Sequence, residues 1–444
     1  MKTQGKSNPI KYLFFSLLAV TLILGMLVGS ASAQISPEDG LSFVADPEIK
    51  TPQLEILSAS SEAIDLNARF SEIVPGHTTI AGQEYLTLTG EGYFYENTPG
   101  APALPVMRKM VEVPLEAKVS VELLGAETQS VSLSKLGLDG VIAPVQEAQP
   151  KCSGPVPPTA PDAQIYGSGL YPNEPVAIIN DFIMRGHRVV VVETRPIRYN
   201  AVSGELETIS EMNFRLNLEG SNMQLTNSEA DRLNSQAFNS ILEPEVLNYN
   251  QGRLVTVPKD GERILIITAD MFQSALGRFV TLKQSQGFQV SVVNMTTIGS
   301  NTTAAIRSYS LQQYNGATPP VYVILVGDYV GGDPVGSITN WDFRTGNDHR
   351  TDLHYYTMDN DTEYTPDVFG ARFPVRTVDH LNAMIDKYFA YENASGAEPW
   401  VKKAEYLASD DSYNYHIAEG SHNFVINSFT LPRGYTGIFP ENPQ

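Results

Sequence analysis

The sequence predicts an α+β multidomain protein, an all-β sandwich followed by an α/β domain with a mainly parallel sheet. Three observations carry this. Arg263–Asp270 and Val321–Asp328 are continuous β-branched and aliphatic runs that end in an acidic residue, the pattern of central strands buried on both faces. Between them lie Phe272, Leu276, Phe279, Val280 and Leu282 at helical spacing, a short strand over Phe288–Val293 and a helical stretch over Thr302–Tyr314. Strand, helix, strand, helix, strand is the order of a doubly wound sheet, which binds ligands beyond the carboxyl ends of its strands. Upstream, from about Leu54 to Leu218, short β-type runs alternate with Gly- and Pro-containing turns, as in a sandwich.

The chain opens with Lys2, Lys6 and Lys11, an apolar run from Tyr12 to about Val28, and Gly29-Ser30-Ala31-Ser32-Ala33. A basic region, an apolar core and a small-x-small site describe a secretory signal peptide over residues 1–33, cleaved after Ala33; the competing reading is an uncleaved membrane anchor. No second run approaches a membrane span, so the mature product is expected to be secreted or on the cell surface. The 50 acidic residues against 30 basic ones argue against nucleic-acid binding. One cysteine in 444 residues excludes an internal disulfide, and Cys152 sits in a proline-rich loop with no base beside it, so it is expected to be inert.

The sandwich is assigned to residues 34–220, with strands over Gln53–Leu57, Tyr85–Leu88, Val106–Val113, Val119–Leu124, Arg188–Glu193 and Phe214–Leu218. Pro99–Val106 is a stiff lead-in to a strand. Arg188–Glu193, Arg195–Asn200 and the turn at Ser203-Gly204 read as a hairpin. Residues 221–260 are rich in Asn, Ser, Gln and Glu, with one weak helical patch around Ala230–Leu242. They read as an accessible connection carrying the activation cleavage region, with basic sites at or near Arg232, Arg253, Lys259 and Arg263. A sandwich, a cleavable connection and an α/β domain in an exported chain suggest a proenzyme.

In residues 261–444, Asp270, Asp328 and Asp410 are placed at the carboxyl ends of strands, the last after a strand over Lys403–Leu407. The Asp359–Asp367 loop offers carboxylates at alternating positions, the hard oxygen donors that calcium takes; a solvated acidic loop is the alternative. His349, His354, His416 and His422 form no zincin motif. Ser337 and Ser412 lack a Gly-x-Ser-x-Gly elbow. Gly327-Asp328 and Gly331-Gly332 lack the Lys-Ser/Thr partner of a phosphate loop, which argues against a nucleotide-binding domain.

The chain resembles the gingipain family of secreted cysteine peptidases together with that family's β-sandwich propeptide. The matching pieces are the Pro99–Val106 segment, the Gly186–Glu205 region, the Arg263–Asp270 strand, Lys283–Phe288, Val323–Asp328, Asp352–Tyr356 and Pro366–Val375. They arrive in family order and cover nearly everything after the signal peptide. The resemblance implies a caspase-like fold and a propeptide that acts as intramolecular inhibitor. It also implies a thiol nucleophile acting on polypeptide substrates, with no organic cofactor. It assigns Asp410, with Asp411 as its neighbour, to the carboxylate that orients the catalytic histidine, a role that keeps an imidazole poised to move the thiol proton; capping of the following helix is an alternative use. It assigns Asp359, Asp361 and Asp367 to a structural calcium site, although two additional residues precede Pro366-Asp367.

The chain departs from the family in a further respect. No His-Gly pair follows the connection, and no cysteine follows Cys152. The sequence is therefore expected to be an amino-terminal fragment, with the peptidase domain incomplete at its carboxyl end and inactive as written. The rival reading is a non-catalytic exported binding or surface-assembly protein.

Overall fold

A computed structural model describes residues 49–147, 157–249, 261–329, 335–342, 350–360, 363–408 and 415–436. The expected signal peptide lies outside these. Among the described residues no helix is long and apolar enough to cross a membrane.

The amino-terminal half is two antiparallel sheets with a hairpin. One sheet orders β1 (Gln53–Ala59), β2 (Ala63–Arg69), β12 (Glu205–Glu219), β11 (Ile197–Asn200) and β8 (Leu170–Tyr171), with β7 (Lys118–Ser132) along the other side of β12. The second orders β5 (Phe94–Tyr95), β6 (Pro105–Val113), β10 (His187–Thr194) and β9 (Val176–Met184). The hairpin is β3 (Val74–Ile80) with β4 (Gln83–Thr89). Met212, Phe214, Leu216 and Leu218 alternate inward along β12 and meet Val111, Val190 and Val192 in one core, the packing of a sandwich. β10 reads as an unbroken valine run because both its faces are buried. Val190 and Val192 enter that core, while Val189 faces a separate cluster shared with the rest of the chain.

The expected hairpin is divided between the sheets. Arg188–Glu193 pairs with β6 and β9, and Ile197–Asn200 pairs with β12 through the turn at Ser203-Gly204. The corner at Arg195-Pro196 moves the chain from one sheet to the other, which a local pattern of strand and turn residues does not reveal.

The carboxy-terminal half is a four-stranded, wholly parallel sheet ordered β14 (Gln289–Asn294), β13 (Arg263–Thr268), β15 (Tyr322–Val326) and β18 (Phe369–Phe373). A small pair, β16 (Trp341–Asp342) and β17 (Arg350–Thr351), sits outside it. The two continuous runs are thus the central strands. Leu265 and Ile267 of β13 face Ile306 and Tyr314. Ile264 and Ile266 face the opposite core with Phe272, Phe279, Leu381 and Ile385. The helices that cover the faces include Gly277–Ser285, Thr303–Tyr314 and Val378–Glu392, the last two capped by the Thr302 and Thr377 side chains on the amides of Ala305 and His380, as Thr at an N-cap does. Lys403–Leu407 is not a strand. No strand pairs with it among the described residues and Leu407 is 87% exposed, so the described sheet ends at β18.

Residues 222–249 are an ordered strap between the halves. Helix α1 (Met223–Arg232) is capped by Asn222 and helix α2 (Gln236–Leu242) by Ser235. Phe238, Leu242 and Val246 are buried between Met184 and Val189 of the sandwich and Val321 of the parallel sheet. Val246 bridges Met110, Leu247 donates to the Met110 carbonyl at 2.9 Å, and the Asn248 amide exchanges two hydrogen bonds with the Glu112 backbone. The strap thereby covers the part of the β6 edge that the two-residue β5 leaves open, which would otherwise present unpaired amides and carbonyls. Arg232 forks onto Glu229 and donates to the Tyr314 carbonyl, and Arg263 lies within β13. Neither is the accessible site the sequence suggested; Arg253 and Lys259 lie outside the described residues.

Candidate functional site

At the carboxyl edge of the sheet, Asp270 accepts from the Thr296 amide and hydroxyl, both at 3.0 Å. Asp328 pairs with Arg376 and accepts from the Tyr329 amide. Burial works against ionisation of Asp328, but Arg376 and that amide outweigh it and hold the carboxyl below its usual range. Both aspartates are thus committed as acceptors that shape the edge. Asp410 and Asp411 lie outside the described residues, as do Cys152, His349 and Ser412. His354 packs on Trp341, and His422 lies near Tyr406 at 5.6 Å between ring centroids.

The acidic loop does converge. Asp359, Glu363 and Asp367 bring one carboxylate oxygen each to within 4.8 Å of one another. Asp361, named from the alternating pattern, lies outside the described residues, and Glu363 was missed. The loop turns back on itself, so residues spaced by four meet where residues spaced by two were expected. The Asp359 and Asn360 amides donate to Glu363 at 2.8 and 3.1 Å and close that turn. Asp367 is fully buried, its two oxygens accepting from the Arg185 amide at 2.6 Å and the Met358 amide at 2.7 Å.

The electrostatics fit a missing positive charge. Burial first, then Asp359, pushes Asp367 well above the carboxylate range, against the two amides. Burial and then Glu363 push Asp359 up to about 6. The Asp359 residue is nevertheless exposed over much of its surface, so the crowding of like charges is the firmer of its two causes. The Tyr314 hydroxyl, buried within electrostatic reach of Asp359 and Asp367, has no hydrogen-bond partner among the described residues. Three hard oxygen donors and an orphaned hydroxyl suit a divalent cation of the calcium type.

A pH dependence follows. An acid whose folded pKa is raised stabilises the fold fully below its ordinary value of 3.8, and that contribution is lost as pH rises through about 6. Above pH 6 the metal-free loop is therefore strained by charge, and a cation has most to offer. Calcium at 1 mM is expected to raise the thermal midpoint by several degrees at pH 7.5 and far less at pH 5; no shift at pH 7.5 would show that the cluster takes no calcium.

Residues 258–442 match the family described as Peptidase family C25, and residues 83–252 match Propeptide_C25. Lys-gingipain HG66 of Porphyromonas gingivalis is 25% identical over 397 residues, which cover 86% of this chain and 22% of that protein. Gingipain R2 of the same organism is 24% identical over 409 residues, covering 90% of this chain and 53% of that one. The chain therefore spans only part of the length of these relatives. Among solved structures, the complex of the pro- and mature domains of RgpB from Porphyromonas gingivalis aligns over 45% of this chain and 98% of that one, at 19% identity and a TM-score of 0.37.

Proposed function

We propose, from the premise that this chain belongs to peptidase family C25 and carries that family's propeptide, that it is the amino-terminal portion of an exported cysteine endopeptidase zymogen. The observation that carries the reading is the join. The propeptide sandwich is fastened to the parallel sheet through a strap buried on both sides, the arrangement needed by an inhibitor that is made with its target. The sandwich is the intramolecular inhibitor, and polypeptides are the substrates. Export rests on the signal-like residues 1–33.

In this reading a thiolate attacks the scissile carbonyl and an imidazole moves the thiol proton to the leaving amine. Residues 261–444 contain no cysteine, so these residues alone do not hydrolyse peptides and the thiol belongs to the longer protein. Asp410 orients the imidazole. Asp359, Glu363 and Asp367 hold a structural calcium ion, with Asp361 as a further donor. The ion would supply fixed positive charge that keeps the three carboxylates ionised and the loop folded.

The test is peptide-amide hydrolysis by the longer protein before and after removal of the sandwich, with and without a thiol-alkylating reagent. Latency that is relieved by removal and activity that is abolished by alkylation are expected. Hydrolysis indifferent to alkylation would refute the assignment, as would a protein that stays inert after removal. Asp410→Ala is expected to lower kcat by at least about a hundredfold with KM little changed.

A further inference from the structure

The tightest contact between the two halves is a single side chain from the sandwich. Arg185 and Gly186 form the two-residue turn between β9 and β10, with φ of +50° and +78°. Such turns favour Asn-Gly or Gly-Gly, and a larger residue in the left-handed region costs about 1 kcal/mol. The β3–β4 turn of the same sandwich meets the demand with Ala81 and Gly82. A long cationic side chain at Arg185 serves the turn poorly, so its contacts are what the position is used for.

Those contacts engage both Nε and Nη1 of the guanidinium. Arg185 is 2% exposed. Its Nε donates to the Leu233 carbonyl at 2.9 Å, and its Nη1 donates to the Pro320 and Asp367 carbonyls, each at 2.9 Å. Its amide donates to the Asp367 carboxylate at 2.6 Å. The guanidinium lies against the Phe238 ring at 5.1 Å and the Tyr314 ring at 5.8 Å from their centroids. Three segments thus converge on one cation: the sandwich turn, the strap and the amino ends of β15 and β18. The turn is also held close, because a Cβ on Gly186 would stand 2.7 Å from Leu233 Cδ1.

We propose that Arg185 is the latch by which the sandwich stays on the peptidase half once the connection between them is cut, and that the socket around Asp367 is specific for a guanidinium. Carbonyl oxygens facing a planar fork between two aromatic rings recognise direction as well as charge, which an ammonium does not satisfy. Breaking the latch takes the donors from the Pro320 and Asp367 carbonyls and one of the two amides from the Asp367 carboxylate, so release of the sandwich is slow. Association of the halves does not depend on the zymogen reading; only its consequence for latency does.

The experiment inserts a sequence cut by a specific exogenous protease after Gly252 in the full chain and measures how fast the two pieces separate after cutting. The unaltered pieces are expected to co-elute. Arg185→Ala should separate at least about a hundredfold faster, and Arg185→Lys, which keeps the charge but loses the fork, about tenfold faster. Circular dichroism of the uncut variants shows whether they fold; if Arg185→Ala does not, Arg185→Lys decides. Separation of the folded variants at the unaltered rate overturns the proposal, as does rapid separation of the unaltered pieces. Pieces that stay latched while the longer protein hydrolyses peptides would sink the zymogen reading and leave the latch standing.

Discussion

Replacing Gly370 with leucine is expected to destabilise the parallel sheet by about 2–4 kcal/mol or more. Gly370 lies on β18 opposite Val323, and a Cβ there would stand 2.2 Å from Tyr356 Cε2 and 2.3 Å from its Cδ2. The ring cannot simply swing away. Tyr356 is buried, its hydroxyl donates to the Ala371 carbonyl at 3.3 Å, and its own carbonyl accepts from the Asp367 amide at 2.9 Å. Any side chain must therefore push Tyr356 out of its cluster or pull β18 from β15. Trp341 and Trp400 are the two tryptophans of the chain, so tryptophan emission during urea unfolding reports the carboxy-terminal half alone. A midpoint shifted by less than the error of the measurement would show that the ring yields freely.

Arg372→Met is the second large effect, at about 3–5 kcal/mol by the same readout. Arg372 forks onto Asp352 with two bonds of 2.7 Å. Its remaining nitrogen donates to the Gly327, Asp328 and Ile338 carbonyls at 2.9, 3.2 and 3.1 Å. One side chain thus ties the carboxyl end of β15, the segment around Ile338 and the Asp352 turn together. Methionine fills the stem but takes their donor from the Gly327 and Ile338 carbonyls and the Asp352 carboxylate, which are about 1–3 kcal/mol defects each where water cannot reach, while the Asp328 carbonyl keeps the Ile338 amide at 2.8 Å. Adding Asp352→Asn to the variant should recover part of the loss, because the unpaired charge is then removed. A loss under about 1 kcal/mol would mean that the fork behaves as a surface pair.

The strands buried on both faces were legible because their chemistry is local. Ile264–Ile267 and Val323–Val326 are apolar without interruption, and the residues between them repeat at helical spacing. The strap was not. Leu233, Phe238, Leu242 and Val246 are present in the sequence, yet each helix buries only a narrow stripe and the rest is polar, so composition reads as a linker. What fixes the strap is a surface built from Met184, Val189 and Val321, residues far away in the chain. The acidic loop was legible as a donor set but not as a geometry. Asp359 and Asp367 meet, while Glu363 joins through a turn that amides close. Arg185 gave no local sign beyond its place before a glycine, because its meaning lies wholly in Pro320, Asp367, Leu233 and two rings.

The long strand β12 also sets a timetable. It carries β7 along one side and both β2 and β11 along the other, with Phe214 opposite Leu66 and Arg215 opposite Asp65. The first sheet therefore cannot close until the ribosome has passed Glu219, and pairing across so long a stretch of chain is slow. The next residues to emerge are the strap, and then the Arg263–Thr268 strand. A nascent chain thus presents every strand of the sandwich before the first strand of the parallel sheet.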